Sequence, residues 1–528
     1  MTNRSDEERR EASDSGIPGD TTADDTPEGL PPRSHDLDWW TFSATALVIA
    51  AFCIPLLTAP EASAALIQRA YDTLTEKFGV IYIWYGVTVL GFLVWLGASR
   101  YGNIRLGPDD SRPEFSTLTW IAMLFCAGIG AGLLYWAVIE WGYYIDAPPF
   151  GLEPRSTEAT AWASSYGLFH WGILAWAFYC LPALAIAYPF YVRKVPYLRL
   201  STGCLPYLPG GVTSRRGRFI DFLYMLNLIG GTGTSLGLST PMIAASVAEL
   251  TGLSHNFVLE VVVVIFCIAI FGTSAFLGLE KGFRKLADFN LWLALTLLFF
   301  VLAVGPTLFI LKVGTSSIGL MLDNFIRMAT WTDPFTNSRF VEDWTVFYWA
   351  WWVAYGPFVG IFVTRISYGR TIREVIFNML VFGSLGAWIF FIIFGNYALH
   401  LELEGLLAVT EIMKEQSAAT AITQVFTSLP FGTLAVGAFF VVAVVFLATT
   451  YDSASYTLAS VSTRRLTAGQ NPARWLRVFW AVSLGILPIS LMYIEGGLQT
   501  ILSTTIVVSL PLLFVGFLLA RSLLILLR

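Results

Sequence analysis

The chain has 528 residues, of which 55% are hydrophobic, 15% aromatic and only 13% charged. Its mean hydropathy of +0.65 excludes an ordinary soluble globular protein and indicates an integral membrane protein. The net charge of −5 says little, because much of the acidic sequence lies near the N-terminus. Five cysteines with no paired spacing predict neither a disulfide framework nor a metal cluster.

Residues 1–38 are rich in Asp, Glu, Ser, Thr, Pro and Gly and lack the apolar core of a signal peptide. We predict that they form a disordered cytoplasmic tail.

Apolar segments of membrane-spanning length follow this tail. They cover residues 39–59, 78–98, 116–146, 158–191, 219–249, 256–279, 286–312, 344–366, 375–400, 431–460, 474–495 and 498–520. The sequence therefore predicts an all-α integral membrane protein with about twelve transmembrane helices. Residues 315–330 and 411–429 are predicted to form shorter helices outside the membrane.

Lys and Arg alternate in abundance between successive loops. By the positive-inside rule this pattern predicts a multi-pass protein of the cell inner (plasma) membrane with both termini in the cytoplasm.

The third span, 116–146, is too long for one straight crossing and carries Gly128, Gly130 and Gly132 at its middle. Glycine lowers helix stability by about 1 kcal/mol, so an unwound segment is one interpretation. The alternative is close helix packing through a Gly-x-x-x-Gly motif.

The eighth span places Tyr348, Trp351, Trp352 and Tyr355 at i, i+3, i+4 and i+7, which is one helix face. Gly356-Pro357 follows, and we expect the helix to weaken there, near the middle of the membrane. Such rings can form a cage for a quaternary ammonium group, each face contributing about 0.5–2 kcal/mol. The alternative is that the aromatic residues only pack against neighbouring helices.

Two other spans contribute candidates for the same site. In the fourth span, Trp171, Trp176 and Tyr179 could close the cage. In the tenth, Thr449 and Thr450 offer oxygen atoms, although hydroxyls in membrane helices often bond to their own backbone.

Glu140 and Asp452 are intramembrane carboxylates, which are functional by default. Either could instead be a structural acid held by hydrogen bonds.

Spans 116–146 and 344–366 each open a set of five helices, and the two sets run in opposite directions. Interrupted helices at matching positions of inverted halves indicate a transporter site. We therefore predict five regions. They are the tail (1–38), two preceding helices (39–115), a first repeat (116–313), an extracellular connecting helix (314–343) and a second repeat (344–526).

Four motifs, FYWAWWVAYGPFVGIFVTRISYGRTIRE, FHWGILAWAFY, GTSLGLSTP and RPEFST, resemble the betaine/choline/carnitine transporter family, and the resemblance covers about residues 38–525. It implies a secondary transporter with inverted five-helix repeats of the leucine-transporter type, assembled as a homotrimer with one pathway per subunit.

The family's tryptophan cage is similar to Trp171, Trp176 and Tyr179 together with Trp351 and Trp352. Tyr355 stands where the betaine branch has a third Trp, as in the carnitine/γ-butyrobetaine antiporter branch, and the sequence around Tyr143 also looks like that branch and places Tyr143 near the site. Two positions depart from the antiporter branch: Asn290 replaces its arginine and Val359 replaces its methionine.

The family's sodium site maps onto five positions, all implied by the resemblance. They are Cys126, Ile129, Phe446, Thr449 and Thr450.

The leading hypothesis is sodium-coupled symport of a betaine-type quaternary ammonium or sulfonium compound, such as glycine betaine, carnitine, choline or dimethylsulfoniopropionate. The alternative is sodium-independent exchange of carnitine-type substrates, and a different class is a membrane receptor or osmosensor that has lost transport. An enzyme is not expected, since we find no cofactor motif and no nucleophile paired with a base. The expected partners are the onium substrate, sodium and the lipid bilayer, without a cofactor or nucleic acid.

Overall fold

The computed structural model describes residues 37–127, 129–277, 280–336, 338–464, 466, 470–493 and 497–528. Within these residues the chain is helical, with two isolated β-bridges that join Leu37 to Thr463 and Arg105 to Thr371. The predicted disordered tail lies outside the described residues, except for Leu37 and Asp38.

The first part of the chain supplies the helices that precede and surround the site. They are α1 (Trp39–Thr58), α2 (Pro60–Ala98), α3 (Thr117–Ala127), α4 (Ala131–Asp146), α5 (Thr157–His170), α6 (Ile173–Tyr191), α7 (Arg215–Thr251), α8 (Phe257–Leu277) and α9 (Glu280–Val304).

The second part of the chain continues the bundle. Its helices are α10 (Thr307–Asp323), α11 (Phe325–Thr330), α12 (Phe347–Ile366), α13 (Ile372–Asn378), α14 (Ser384–Phe390), α15 (Asn396–Leu403), α16 (Val409–Glu415), α17 (Ala418–Thr427), α18 (Gly432–Val461), α19 (Arg474–Met492) and α20 (Gly497–Leu527). Turns of π-helix precede α12 and join α13, α14 and α15 into one long helix.

Among the described residues, nine helices are long and apolar enough to cross a membrane, or ten when the bent pair α3 and α4 is counted as one span. The two other predicted spans are α7 and α8. The run GGTGTS in α7 lowers its hydropathy, and the apolar helix of α8 is shorter, Phe257–Ile270. The fold class, an all-helical membrane protein, is confirmed.

The predicted seventh span, 286–312, is divided in the structure. Helix α9 ends at Val304, and α10 begins at Thr307 after Gly305 and Pro306. Proline lacks the backbone donor that would continue the helix. A Cβ on Gly305 would also lie 2.6 Å from the carbonyl oxygen of Val301.

The third span is broken, as its glycines predict. Helices α3 and α4 meet at an angle of 63°, and Gly130 between them has an extended backbone with φ of −153° and ψ of 177°. Gly128 lies outside the described residues. Polar backbone groups at such a break need partners from protein or a water-filled cavity.

The expected weakening at Gly356-Pro357 is wrong, because α12 continues through both residues. The two glycines of α12 instead allow close contact with α6. A Cβ on Gly356 would lie 3.0 Å from the carbonyl oxygen of Phe178, and one on Gly360 would lie 2.8 Å from the nitrogen of Ala183. With this neighbour packed against it, the helix remains continuous although Pro357 removes one hydrogen bond.

Candidate functional site

Three tryptophans form two adjoining walls of an aromatic box. The rings of Trp351 and Trp352 are nearly parallel, with centroids 5.1 Å apart and an interplanar angle of 10°. Trp171 stands across them at 82° to Trp351 and 73° to Trp352, at centroid distances of 5.7 and 4.8 Å. Rings that meet at such angles can present several faces to one small ligand.

Two tyrosines extend this box. Tyr179 lies edge-on to Trp352, with centroids 5.8 Å apart. The hydroxyl of Tyr355 is 3.0 Å from that of Ser235 on α7. Ser235 was not predicted as a site residue, although it belongs to the GTSLGLSTP motif.

The box borders a cavity of about 140 Å³. A single buried water needs only about 10–15 Å³, so the cavity suits a small molecule. Its lining comes from the end of α3, from the α3–α4 and α5–α6 breaks, and from α4, α6, α7, α12 and α18. The lining residues are Ala127, Ile129, Gly130, Ala131, Gly132, Leu133, Trp171, Tyr179, Ser235, Trp351, Trp352, Tyr355, Phe358, Val359 and Thr450.

No Lys, Arg, Asp or Glu is among these described lining residues. An aromatic wall without a charged group binds a cation through the negative faces of the rings. It does not require the ligand to donate hydrogen bonds, which a quaternary ammonium group cannot do. The arrangement therefore suits an onium group better than a primary amine.

The broken third span, α3 and α4, faces the eighth span, α12, as the repeat hypothesis requires. A Cβ on Gly132 would lie 3.2 Å from the Trp351 ring. Glycine at this position therefore lets the start of α4 approach the box closely.

Trp171 lies in a break between α5 and α6 that we did not predict. Helix α5 ends at His170, and α6 begins at Ile173. A Cβ on Gly172 would lie 2.5 Å from the carbonyl oxygen of Leu168 and 2.7 Å from Nε1 of Trp388. Glycine permits this tight bend, which turns the chain beside the cavity.

Two predicted site residues lie away from the cavity lining. Trp176 packs edge-on against Tyr179, with centroids 5.5 Å apart, and occupies the space left by the missing side chain of Gly383. Tyr143 packs against Trp344, at a centroid distance of 5.2 Å. Their roles in binding remain predictions.

The residues predicted for sodium are grouped around two backbone segments. The hydroxyls of Thr449 and Thr450 both donate to the carbonyl oxygen of Phe446, at 3.0 and 2.8 Å. On the other segment, the Ile129 nitrogen donates to the Cys126 carbonyl oxygen at 3.0 Å. Ile129 and Thr450 both line the cavity.

Asn290, which replaces the antiporter arginine, is fully buried and donates from Nδ2 to the carbonyl oxygen of Val442 at 3.2 Å. It therefore holds α9 against α18, the helix that carries Thr449 and Thr450.

The two intramembrane carboxylates have different surroundings. Asp452 forms an ion pair with Arg477, with an N–O distance of 2.9 Å. Glu140 lies behind the aromatic box, where Trp171 donates to it at 3.0 Å. Tyr144, four residues further along the same helix, is a second partner that helical spacing could reveal. Trp171 and Tyr348 lie far along the chain, so no local pattern in the sequence indicates them.

Comparisons with known proteins identify the family of this chain. The model of the betaine/carnitine/choline family transporters matches residues 40–528. An uncharacterized transporter of Escherichia coli strain K12, YeaV, is 39% identical over 432 residues, which cover 81% of this chain and 88% of the relative. A carnitine transporter of Acinetobacter baumannii is 36% identical over 441 residues, covering 84% of this chain and 80% of the relative. The chain thus belongs to the betaine/carnitine/choline transporter family and is a multi-pass membrane transporter.

Proposed function

We propose that this transporter is a sodium-coupled symporter of a betaine-type quaternary ammonium or sulfonium compound. The observation that carries the proposal is the aromatic box of Trp171, Trp351 and Trp352 around a small cavity without charged lining residues. Glycine betaine, carnitine, choline and dimethylsulfoniopropionate all carry an onium group of the kind that such a box recognises.

The affinity available from the box is sufficient for transport. Each ring face contributes about 0.5–2 kcal/mol to cation binding, more when the site excludes water. Trp351 and Trp352 are only 2% and 4% exposed. The upper end of this energy range, which applies to sites shielded from water, is therefore appropriate for them. At about 2 kcal/mol each, three such faces supply about 6 kcal/mol, which corresponds to a dissociation constant of tens of micromolar.

The sodium part of the proposal rests on oxygen atoms beside the cavity. Three of them converge at one turn of α18, the hydroxyls of Thr449 and Thr450 and the carbonyl of Phe446. A hydroxyl that donates one hydrogen bond keeps lone pairs, so these groups can also face a cation. Sodium, like other hard cations, takes several oxygen ligands, and the α3–α4 break can supply further carbonyl groups.

The energy of the sodium gradient is adequate for accumulation. One charge that moves down 100 mV releases about 2.3 kcal/mol, which corresponds to roughly 50-fold accumulation of the substrate.

A second candidate is sodium-independent exchange of carnitine-type substrates. Tyr355, which lines the cavity, stands where the antiporter branch has the same residue. The name of the Acinetobacter relative refers to carnitine. Asn290 argues against this candidate, since it leaves no guanidinium group beside the sodium position.

Uptake into proteoliposomes distinguishes the two candidates. We expect labelled onium compound to accumulate when an inward sodium gradient is imposed, and to accumulate little with potassium in place of sodium. Liposomes preloaded with unlabelled carnitine provide the exchange arm. Equal uptake with and without sodium in that arm would reject symport and favour the exchanger.

We further infer that the protein lies in the plasma (inner) membrane with both termini in the cytoplasm. A homotrimer with one pathway per subunit is its proposed assembly. The two five-helix repeats remain our proposed domain organisation, with the α3–α4 pair and α12 as their opening helices.

A further inference from the structure

Glu140 is a fully buried carboxylate on α4 that hydrogen-bonds to three side chains. The Tyr144 hydroxyl donates to its Oε1 at 2.6 Å. Trp171 Nε1 donates to its Oε2 at 3.0 Å, and the Tyr348 hydroxyl donates to the same atom. These donors come from α4, from the α5–α6 break and from α12, so one carboxylate joins three helices around the box.

His170 forms a second layer of this network. Its Nδ1 is 2.9 Å from the Tyr144 hydroxyl and its Nε2 is 3.1 Å from the Thr345 hydroxyl. Tyr144 has one proton and gives it to Glu140, so its oxygen accepts from Nδ1, and Nε2 then accepts from Thr345. With an ionised Glu140 and a neutral imidazole, each group in this series can donate towards the carboxylate, so the network can accommodate an anion.

The network reaches the cavity through the rings of the box. Trp171 lines the cavity, whereas Glu140 does not. Tyr348 stacks on Trp352 at a centroid distance of 5.6 Å and an angle of 24°. The Trp352 Nε1 donates to the carbonyl oxygen of His170 at 2.9 Å. Glu140 is therefore separated from the cavity by the rings that line it.

We propose that Glu140 is the fixed negative charge of the aromatic box: a positioning residue that orients Trp171 and Tyr348 and makes the box prefer a cationic group over a neutral one of the same shape. This inference rests on the proposed onium substrate. A neutral hydrogen-bonding residue could hold the rings, but it could not add the attraction between a carboxylate and an onium charge.

The size of the effect follows from Coulomb attraction across one aromatic ring. In a partly polar protein interior, removal of one charge at such a distance weakens the binding of a cation by about tenfold. A neutral ligand of the same shape does not experience this attraction. The preference between the two ligands therefore measures the charge separately from the packing.

The experiment compares each onium compound with its tert-butyl analogue, in which carbon replaces the charged nitrogen. The probes are glycine betaine, carnitine and choline, each with its analogue, titrated calorimetrically into the purified protein. We expect Glu140→Gln to reduce the preference for the onium compound by about tenfold in each pair. The affinity for the choline analogue, which is neutral, should be almost unchanged. The other two analogues keep a carboxylate, so for those pairs the ratio of the two affinities is the readout. Asp146→Asn on the same helix, which removes a carboxylate paired with Arg155 and Lys414, is the matched control and should leave the preference intact.

If Glu140→Gln does not accumulate as folded protein, a second variant tests the same proposal. The triple variant Glu140→Leu, Tyr144→Phe and Tyr348→Phe removes the carboxylate together with two of its donors, so that fewer buried groups are left unpaired. The same loss of preference is expected.

The outcomes separate this inference from the proposed function. An unchanged preference in either variant, or an equal loss of affinity for both ligands of a pair, would overturn the role of the charge. Failure of the wild-type protein to bind any of the three onium compounds would overturn the proposed substrate class itself.

Discussion

Trp352 shows how one residue combines ligand binding with structure. Its ring stacks on Trp351, meets Trp171 and Tyr179 edge-on, and borders the cavity. Its Nε1 hydrogen-bonds to the His170 carbonyl, which fixes the ring orientation. Substitutions here should therefore affect substrate affinity more than folding, since the remaining rings still pack together.

We predict that Trp352→Leu lowers the uptake of the onium substrate by about tenfold or more, because at least one cation-binding face is lost. Trp292→Leu is the control, since Trp292 is 69% exposed on α9 and should tolerate the change. Initial uptake rates, normalised to the amount of protein in the liposomes, provide the measurement. Equal losses in the two variants would indicate that the box serves only packing.

We predict that the double substitution Thr449→Ala and Thr450→Ala raises the sodium concentration required for half-maximal uptake, while the substrate KM at saturating sodium changes little. The reason is that two of the proposed oxygen ligands disappear. Thr457→Ala on the same helix is the control, because the Thr457 hydroxyl likewise donates to its own backbone, at 2.9 Å to Ser453. A sodium dependence as in the wild type would mean that the two hydroxyls serve only the backbone of α18.

At the scale of elements, the contact between α12 and α6 decides the shape of the binding helix. The glycines of α12 allow its backbone to approach that of α6, and the Thr364 hydroxyl donates to the Ala183 carbonyl oxygen at 3.0 Å. Small residues at helix interfaces are common in membranes because the backbones then pack closely. The continuous α12 places Trp351 and Trp352 in the lining of the same cavity as the break between α3 and α4.

We predict that Gly360→Ala destabilises the protein by about 1–3 kcal/mol through overpacking, since its Cβ would lie 2.8 Å from the Ala183 backbone. Gly437→Ala in α18 is the matched control. A Cβ there meets nothing within 4 Å, so alanine should be neutral or stabilise the helix by about 0.5–1 kcal/mol. Thermal unfolding in detergent measures both, and equal melting temperatures would contradict the importance of this contact.

At the scale of the whole molecule, ion pairs join segments that are remote in sequence. Arg155 binds Asp146 at 2.7 Å and Glu402 at 3.1 Å, and Lys414 binds Asp146 at 2.6 Å. These contacts connect the end of α4 with α15 and α16. In the topology that we propose from the positive-inside rule, this cluster lies on the side opposite the cytoplasm.

We predict that a cysteine at Glu415 is labelled by an impermeant maleimide in intact cells, whereas one at Arg216 is labelled only after permeabilisation. Both positions are exposed in the structure. The five native cysteines are first replaced by serine or alanine to provide the background. The opposite labelling pattern would reverse the proposed orientation of the termini.

The sequence by itself determined the fold class, and it predicted the aromatic face that borders the cavity of the candidate site. A bilayer admits only segments whose backbone hydrogen bonds are internal and whose length matches the hydrocarbon core, so apolar runs predict helices directly. The same local regularity placed Trp351 and Trp352 on one helix face, and the low helix propensity of glycine predicted the break in the third span.

Only the tertiary structure decided which residues meet across helices. It kept α12 continuous through Pro357, where α6 packs along the two glycines. It moved Trp176 out of the cavity lining into the gap at Gly383. It also joined Glu140 to Trp171 and to Tyr348, which lie 31 and 208 residues further along the chain. Such contacts depend on the sum of many small packing terms between distant segments, and no local pattern in the sequence records that sum.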